Sequence, residues 1–148
     1  MKKSKLLFCA LGFLFPGSGL NCFYLQGVKS FWAWAQLLAL IGGAAGWIIL
    51  RDAHFHSAPG WVLITFGFIA IEASWLTTIT FGLRPDEKWD AQFNPNVDEH
   101  RRTRSGWLEI LTVIFSLVFG AGVMMTFLAV AFEQFFISQI YEAKKLSQ

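Results

Sequence analysis

The sequence predicts an all-α integral membrane protein of three to four hydrophobic helices, the first short and kinked or re-entrant. Three observations carry this. Apolar residues make up 55% of the 148 positions and charged residues only 15%, against roughly 25% charged in an ordinary globular protein. The charges are segregated: Lys2, Lys3 and Lys5 lie at the start, ten lie between Arg84 and Arg104, and Lys144 and Lys145 lie at the end. Between them run apolar stretches of roughly the 20 residues that a helix needs to cross a hydrocarbon core of roughly 30 Å. Strands are excluded, since an open strand in lipid leaves its peptide groups unpaired and these runs lack barrel alternation.

The first apolar segment, Leu6 to about Leu25, is interrupted at Pro16-Gly17-Ser18-Gly19. Its basic start and apolar run resemble a signal peptide, but no cleavage-type site follows, so it reads as a retained membrane segment. The second runs from Phe31 to Leu50 with only Gln36 clearly polar. The third covers about 61–83 and is broken by Glu72. The fourth covers about 107–132 and continues into an amphipathic C-terminal extension, with Phe132, Phe135, Phe136 and Ile140 at helical spacing. Trp32, Trp34, Trp47, Trp61 and Trp107 mark the interfaces. Trp75, inside its segment, reads as packing. The polar run 84–106 is expected to be a loop, bounded by Pro85 and held extended at Pro95.

Positive charge tests the topology. With four spans the twelve Lys and Arg divide six to each side. If the first segment dips in and returns, nine fall on one side and three on the other. The re-entrant arrangement fits the rule and the shortness of the ten-residue run Leu6–Phe15. A kinked full span from Leu6 to Leu25 is nevertheless the arrangement expected, because of a resemblance.

Lys3-Ser4-Lys5, then Phe23-Tyr24-Leu25 followed by Gly27, then Gly46-Trp47 and Asp52 occur in the order typical of the TM-two domain, which this stretch resembles. The resemblance covers about residues 3–52. It implies a pair of membrane helices joined by a short bend and no enzyme activity. Residues 53–148 then hold two further membrane helices and the polar loop. Asn21 and Cys22 stand where that family has a charged pair. The stretch is therefore expected to be a bend built on Asn21, Phe23, Tyr24 and Gly27.

Glu72 is the sharpest candidate functional residue. A carboxylate at bilayer depth costs a few kcal/mol, so it must face other helices, be neutral or find a partner such as Gln36. Gly42 and Gly46, and Ser116 and Gly120, have the small-x-x-x-small spacing of close helix packing within the chain or between copies. His54 and His56 would need a third ligand, such as His100, to hold a metal and read as interfacial loop residues. No catalytic, cofactor or metal residues are assigned. A net charge of +2 without a basic stripe excludes nucleic acid, and Cys9 and Cys22 read as free apolar thiols. The expected role is a non-enzymatic scaffold or accessory subunit in the cell membrane, the inner membrane if bacterial. Its partners are the bilayer and either a second copy or another membrane protein. The alternative is a small transporter or channel component using Glu72.

Overall fold

In the computed structural model, which describes residues 2–147, the chain is all-helical, with no strand among the described residues. Helices α1 (Lys5–Leu14) and α2 (Leu20–Gln26) precede the long α3 (Phe31–Asp52) and α4 (Ala58–Gly82). A short α5 (Asp86–Phe93) and a 3-10 turn (Glu99–Arg101) lead to α6 (Trp107–Leu146). Three of these helices, α3, α4 and α6, are long and apolar enough to cross a membrane. Serine opens three of the helices. Ser4, Ser30 and Ser57 accept hydrogen bonds from the amides of Leu7, Ala33 and Gly60, pairing donors that a helix start leaves free.

α4 is the central helix, packed by α3, α6 and α1. Its contacts are made by small residues. Gly43 of α3 meets Gly67 backbone to backbone, Gly46 meets the Gly60–Ile64 turn, and Gly82 faces Val113 of α6. Large apolar side chains such as Ile41, Phe66, Leu76, Leu117 and Met125 point outward. This distribution suits lipid. Helices in a bilayer gain nothing by hiding leucine from an equally apolar solvent, and they associate through close backbone packing instead.

The first segment is not a fourth span, which corrects the kinked-span expectation. α1 has ten residues, about 15 Å at 1.5 Å per residue, or half a hydrocarbon core. The chain reverses at Phe15–Gly19, where Gly17 and Gly19 take left-handed φ angles of 77° and 71°, open to glycine at little cost. The tip lies level with the middles of the long helices. A Cβ on Gly17 would touch Ile71 and Leu40, near the middles of α4 and α3. α2 then climbs back, so Gly19 to Gly27 is not itself the bend. Residues 20–26 are helical and the reversal precedes them.

Irregular backbone at this depth survives only when its polar groups are paired by protein. Ser74 Oγ donates to Gly12 O at 3.1 Å, and the Trp75 indole donates to Phe13 O at 3.3 Å. Both acceptors are carbonyls from the last turn of α1. Ser18 Oγ accepts from Leu20 N, and Asn21 Oδ1 accepts from Cys22 N, serving the start of α2.

With α1 and α2 forming a re-entrant hairpin, Lys2, Lys3, Lys5 and Lys29 share one side of the bundle with 84–106. Nine of the twelve Lys and Arg therefore lie on that side. The polar run 84–106 is more structured than a loop, since α5 and the 3-10 turn lie within it. The C-terminal extension is the continuous end of α6, 40 residues in all. It tracks α4 as far as a contact between Tyr141 and His56.

Candidate functional site

Two polar constructions stand out, one at an end of the helix bundle and one at mid-length between its helices. The first is a cap made from the N-terminal segment and residues 84–105. Asp86 and Asp90 lie one turn apart on the same face of α5. Opposite runs an extended segment in which Thr103 and Ser105 lie two residues apart. One helical turn rises about 6 Å over four residues, close to the rise of two extended residues, so the two spacings match. Asp86 accepts from Ser105 N at 2.7 Å and from its hydroxyl. Asp90 accepts from Thr103 N at 2.6 Å and Thr103 Oγ1 at 2.5 Å, with Asn94 Nδ2 at 2.8 Å.

Lys5 locks the hairpin into this zipper. Its ammonium has three donors, and all are used: Arg84 O at 2.5 Å, Ser105 Oγ at 2.8 Å and Asp86 Oδ1 at 3.0 Å. The side chain is only 2% exposed. Lys3 contributes through its backbone. Its amide donates to Asn94 Oδ1 at 2.6 Å, and its carbonyl accepts from the Trp89 indole and Asn94 Nδ2. The Lys3 ammonium donates to Tyr24 O at the end of α2, while the Tyr24 hydroxyl accepts from Ser4 N. Beneath lies an aromatic cluster in which Phe8 and Trp89 are fully buried and Phe81 and Phe93 pack alongside.

Burial alone would raise both carboxyls. The donors of Ser105 and Lys5 at Asp86, and of Thr103 and Asn94 at Asp90, outweigh it and hold both below the ordinary 3.8. The sign follows from linkage. Groups whose folded values are depressed add stability above 3.8, and that stability is lost as pH falls through the lower folded values. The thermal midpoint of purified protein should therefore hold steady from neutral pH down to the carboxylate range and drop below it. A drop beginning near pH 6 would point away from these two groups.

The second construction surrounds Glu72. It is 7% exposed, faces Gly120 of α6 beside Trp75, and its Oε1 has no hydrogen-bond partner among the described residues. The expected bond to Gln36 is not made, and Gln36 Oε1 is likewise buried without a partner. Ser116, fully buried, donates to Thr112 O within its own helix. Gly120 thus lies in the α4–α6 contact, against Glu72 and Trp75.

The remaining candidates scatter. Asn21 is buried with its Nδ2 unpartnered among the described residues, Phe23 packs edge-on against Trp34, Tyr24 belongs to the cap, and Gly27 ends α2 at φ 74°. Gly46 sits in the α3–α4 contact, whereas Gly42 is peripheral and Gly43, its neighbour, makes the closest approach. His54 and His56 lie in the turn between α3 and α4, with His56 Nδ1 on His54 O. No group of three His, Cys, Asp or Glu among the described residues is placed to hold a metal ion. Comparison of the chain with protein-family models, curated proteins and solved structures finds no match.

The residues that sequence reasoning missed are Lys5, Asp86, Asp90, Thr103 and Ser105. Their signal was present as an acidic pair four apart and a hydroxyl pair two apart, but nothing in the chain pairs one with the other.

Proposed function

We propose that this chain is a non-enzymatic scaffold or accessory subunit whose polar cap is a rigid docking face for a partner protein. The observation that carries the reading is how the cap's charges divide. Lys5, Asp86 and Asp90 are spent on internal bonds, while Asp98, Glu99, Arg101, Arg102 and Arg104 remain exposed on the same folded unit. A fixed frame beneath exposed charges of both signs favours recognition, since complementary charge sets partner choice and encounter rate. The nine positive charges on this side favour a cytoplasmic cap, in the cell membrane. The TM-two resemblance belongs to the same proposal. Its first and middle blocks meet here, with Lys3 and Ser4 bonded to Tyr24.

The test must spare the frame, because replacing the whole of 84–106 would remove the partners of Lys5. Glu99, Arg101 and Arg102 form at most the exposed pair Arg102–Glu99 at 3.5 Å, worth little in stability. Changing all three to Gln should leave the thermal midpoint unchanged and release a protein that co-purifies stoichiometrically with the unmodified chain in mild detergent. Retention of that protein by the variant would exclude this face as the docking site.

Glu72 supports the second reading, a small transporter or channel component. The specific observation is a carboxylate oxygen at the middle of α4 with no hydrogen-bond partner among the described residues. That reading expects Glu72→Gln to abolish a proton- or ion-dependent flux in vesicles. Unchanged flux would leave Glu72 as a neutral packing residue.

A further inference from the structure

We propose that the protein is a membrane wedge, which resides preferentially where the bilayer is convex on the side of its polar cap. The inference rests on the depth of the hairpin. α1 starts at the cap, where Lys5 bonds Asp86, and its turn meets Ile71 and Leu40 at the middles of α4 and α3. α2 ends back at the cap, where Tyr24 bonds Lys3 and Ser4. Both helices thus lie within one leaflet. Among the described residues, a section through that leaflet crosses α1, α2, α3, α4 and α6, whereas a section through the opposite leaflet crosses only α3, α4 and α6. With a helix about 10 Å across, the cap-side leaflet accommodates the area of two additional helices.

Two further observations make this asymmetry act on lipid. The outer side of the hairpin is apolar, with Leu7, Leu14, Phe15 and Leu20 exposed, so it displaces acyl chains in that leaflet. The hairpin is also anchored at both ends. Lys5 holds its base, and Ser74 and Trp75 hold the carbonyls at its tip, so lateral pressure cannot expel it cheaply. The extension of α6 does not restore balance, because it continues the same helix along α4 to the His56–Tyr141 contact and adds no second segment. Insertion into one leaflet is sensitive to curvature. A body wider in one leaflet is accommodated best where that leaflet is stretched, on the convex face. With the cap cytoplasmic, that means membrane bulging towards the cytoplasm.

The test uses the full chain in both orientations. Protein labelled with a fluorophore at its C-terminal end is reconstituted into giant vesicles, and narrow tubes are pulled outward. An impermeant quencher added outside darkens molecules whose C-terminal end is external, leaving those whose cap faces outward. For these cap-out molecules, the tube-to-vesicle density ratio should exceed one and rise as the tube narrows. The cap-in population, obtained by difference, should fall below one. Equal ratios for the two orientations, or enrichment of the cap-in population, would overturn the proposal. Deleting the hairpin is a weaker test because α4 would lose a packing partner, and the two orientations of the intact chain remove the need for it. The outcome is independent of whether the cap binds a partner.

Discussion

Asp86→Leu should destabilise the protein more than Lys5→Met, although the two side chains are partners. Lys5 is 2% exposed and the Asp86 side chain 29%. Removing the carboxylate strands a buried ammonium with two neutral acceptors, Arg84 O and Ser105 Oγ. A buried charge left without its counter-ion typically costs about 3–5 kcal/mol. Removing Lys5 instead leaves a carboxylate that still has both Ser105 donors and reaches water. The loss is then that of a charged hydrogen bond, about 1–3 kcal/mol. The double variant should recover much of the Asp86→Leu loss, because no unpaired charge remains. Thermal or denaturant unfolding of the four proteins in one detergent measures the cycle. Equal losses from the single variants would mean that the ammonium reaches water, and the cap would then be a looser assembly than its geometry implies.

This asymmetry matters for function because Lys5 is the joint between hairpin and cap. A chain without it should still insert, since its apolar helices are unchanged. Its α1, however, would be held at the surface mainly through the Lys3 backbone and the aromatic packing of Phe8 against Trp89. The proposed partner docking and the proposed curvature preference both call on a fixed hairpin and a fixed cap, so both should weaken together in Lys5→Met.

The medium and the helices were legible in the sequence because they follow from composition and length, which lipid reads directly. The starts of the runs at Phe31, Trp61 and Trp107 could be placed within a few residues because hydrocarbon admits only helices and closed barrels, and barrel alternation is missing. The hairpin was harder. A proline and three small residues at 16–19 fit a kink as well as a reversal, and local sequence does not choose between them. The choice is made by Ser74 and Trp75, more than fifty residues away, which pair the carbonyls that a reversal exposes. Charge counting pointed the right way because it sums over the whole chain. The cap was hidden for the same reason as the hairpin's anchor. Lys5 and Asp86 are 81 residues apart, and a balanced run of five positive and five negative charges has no net sign to reveal internal pairing. Glu72 stood out at once because a carboxylate in lipid is anomalous wherever it points. Its facing residue, Gly120, came only with the packing of α6 on α4.

Gly43→Ala and Gly67→Ala should each disrupt the α3–α4 pair, while Gly42→Ala, one position away, should not. A Cβ on Gly43 would lie 2.6 Å from Gly67 Cα, and one on Gly67 would lie 2.5 Å from Gly43 Cα. The obstructing atoms are backbone, so no side-chain rotation relieves the clash and the helix axes must part. Overpacking by one methyl in a tight interface costs about 1–3 kcal/mol. Here water adds no restoring force, because helices in lipid associate through the contact itself. A Cβ on Gly42 would meet only the end of Leu63 at 3.7 Å, and one on Gly122 would meet nothing within 4 Å. Alanine at those two sites should be neutral or slightly stabilising, since it forms helix more readily than glycine by about 0.5–1 kcal/mol. Unfolding midpoints of the four variants in a single detergent decide the matter, with Gly43→Ala and Gly67→Ala low and Gly42→Ala and Gly122→Ala at or above the parent. A low Gly42→Ala would mean that the helices cross on a different face. The consequence would reach beyond stability, because the hairpin is seated across this pair, with Gly17 on Leu40 and Ile71 and Gly19 on Ala33. Parting α3 from α4 separates the two sides of that seat, so a chain with alanine at position 43 or 67 should also lose its preference for the convex leaflet.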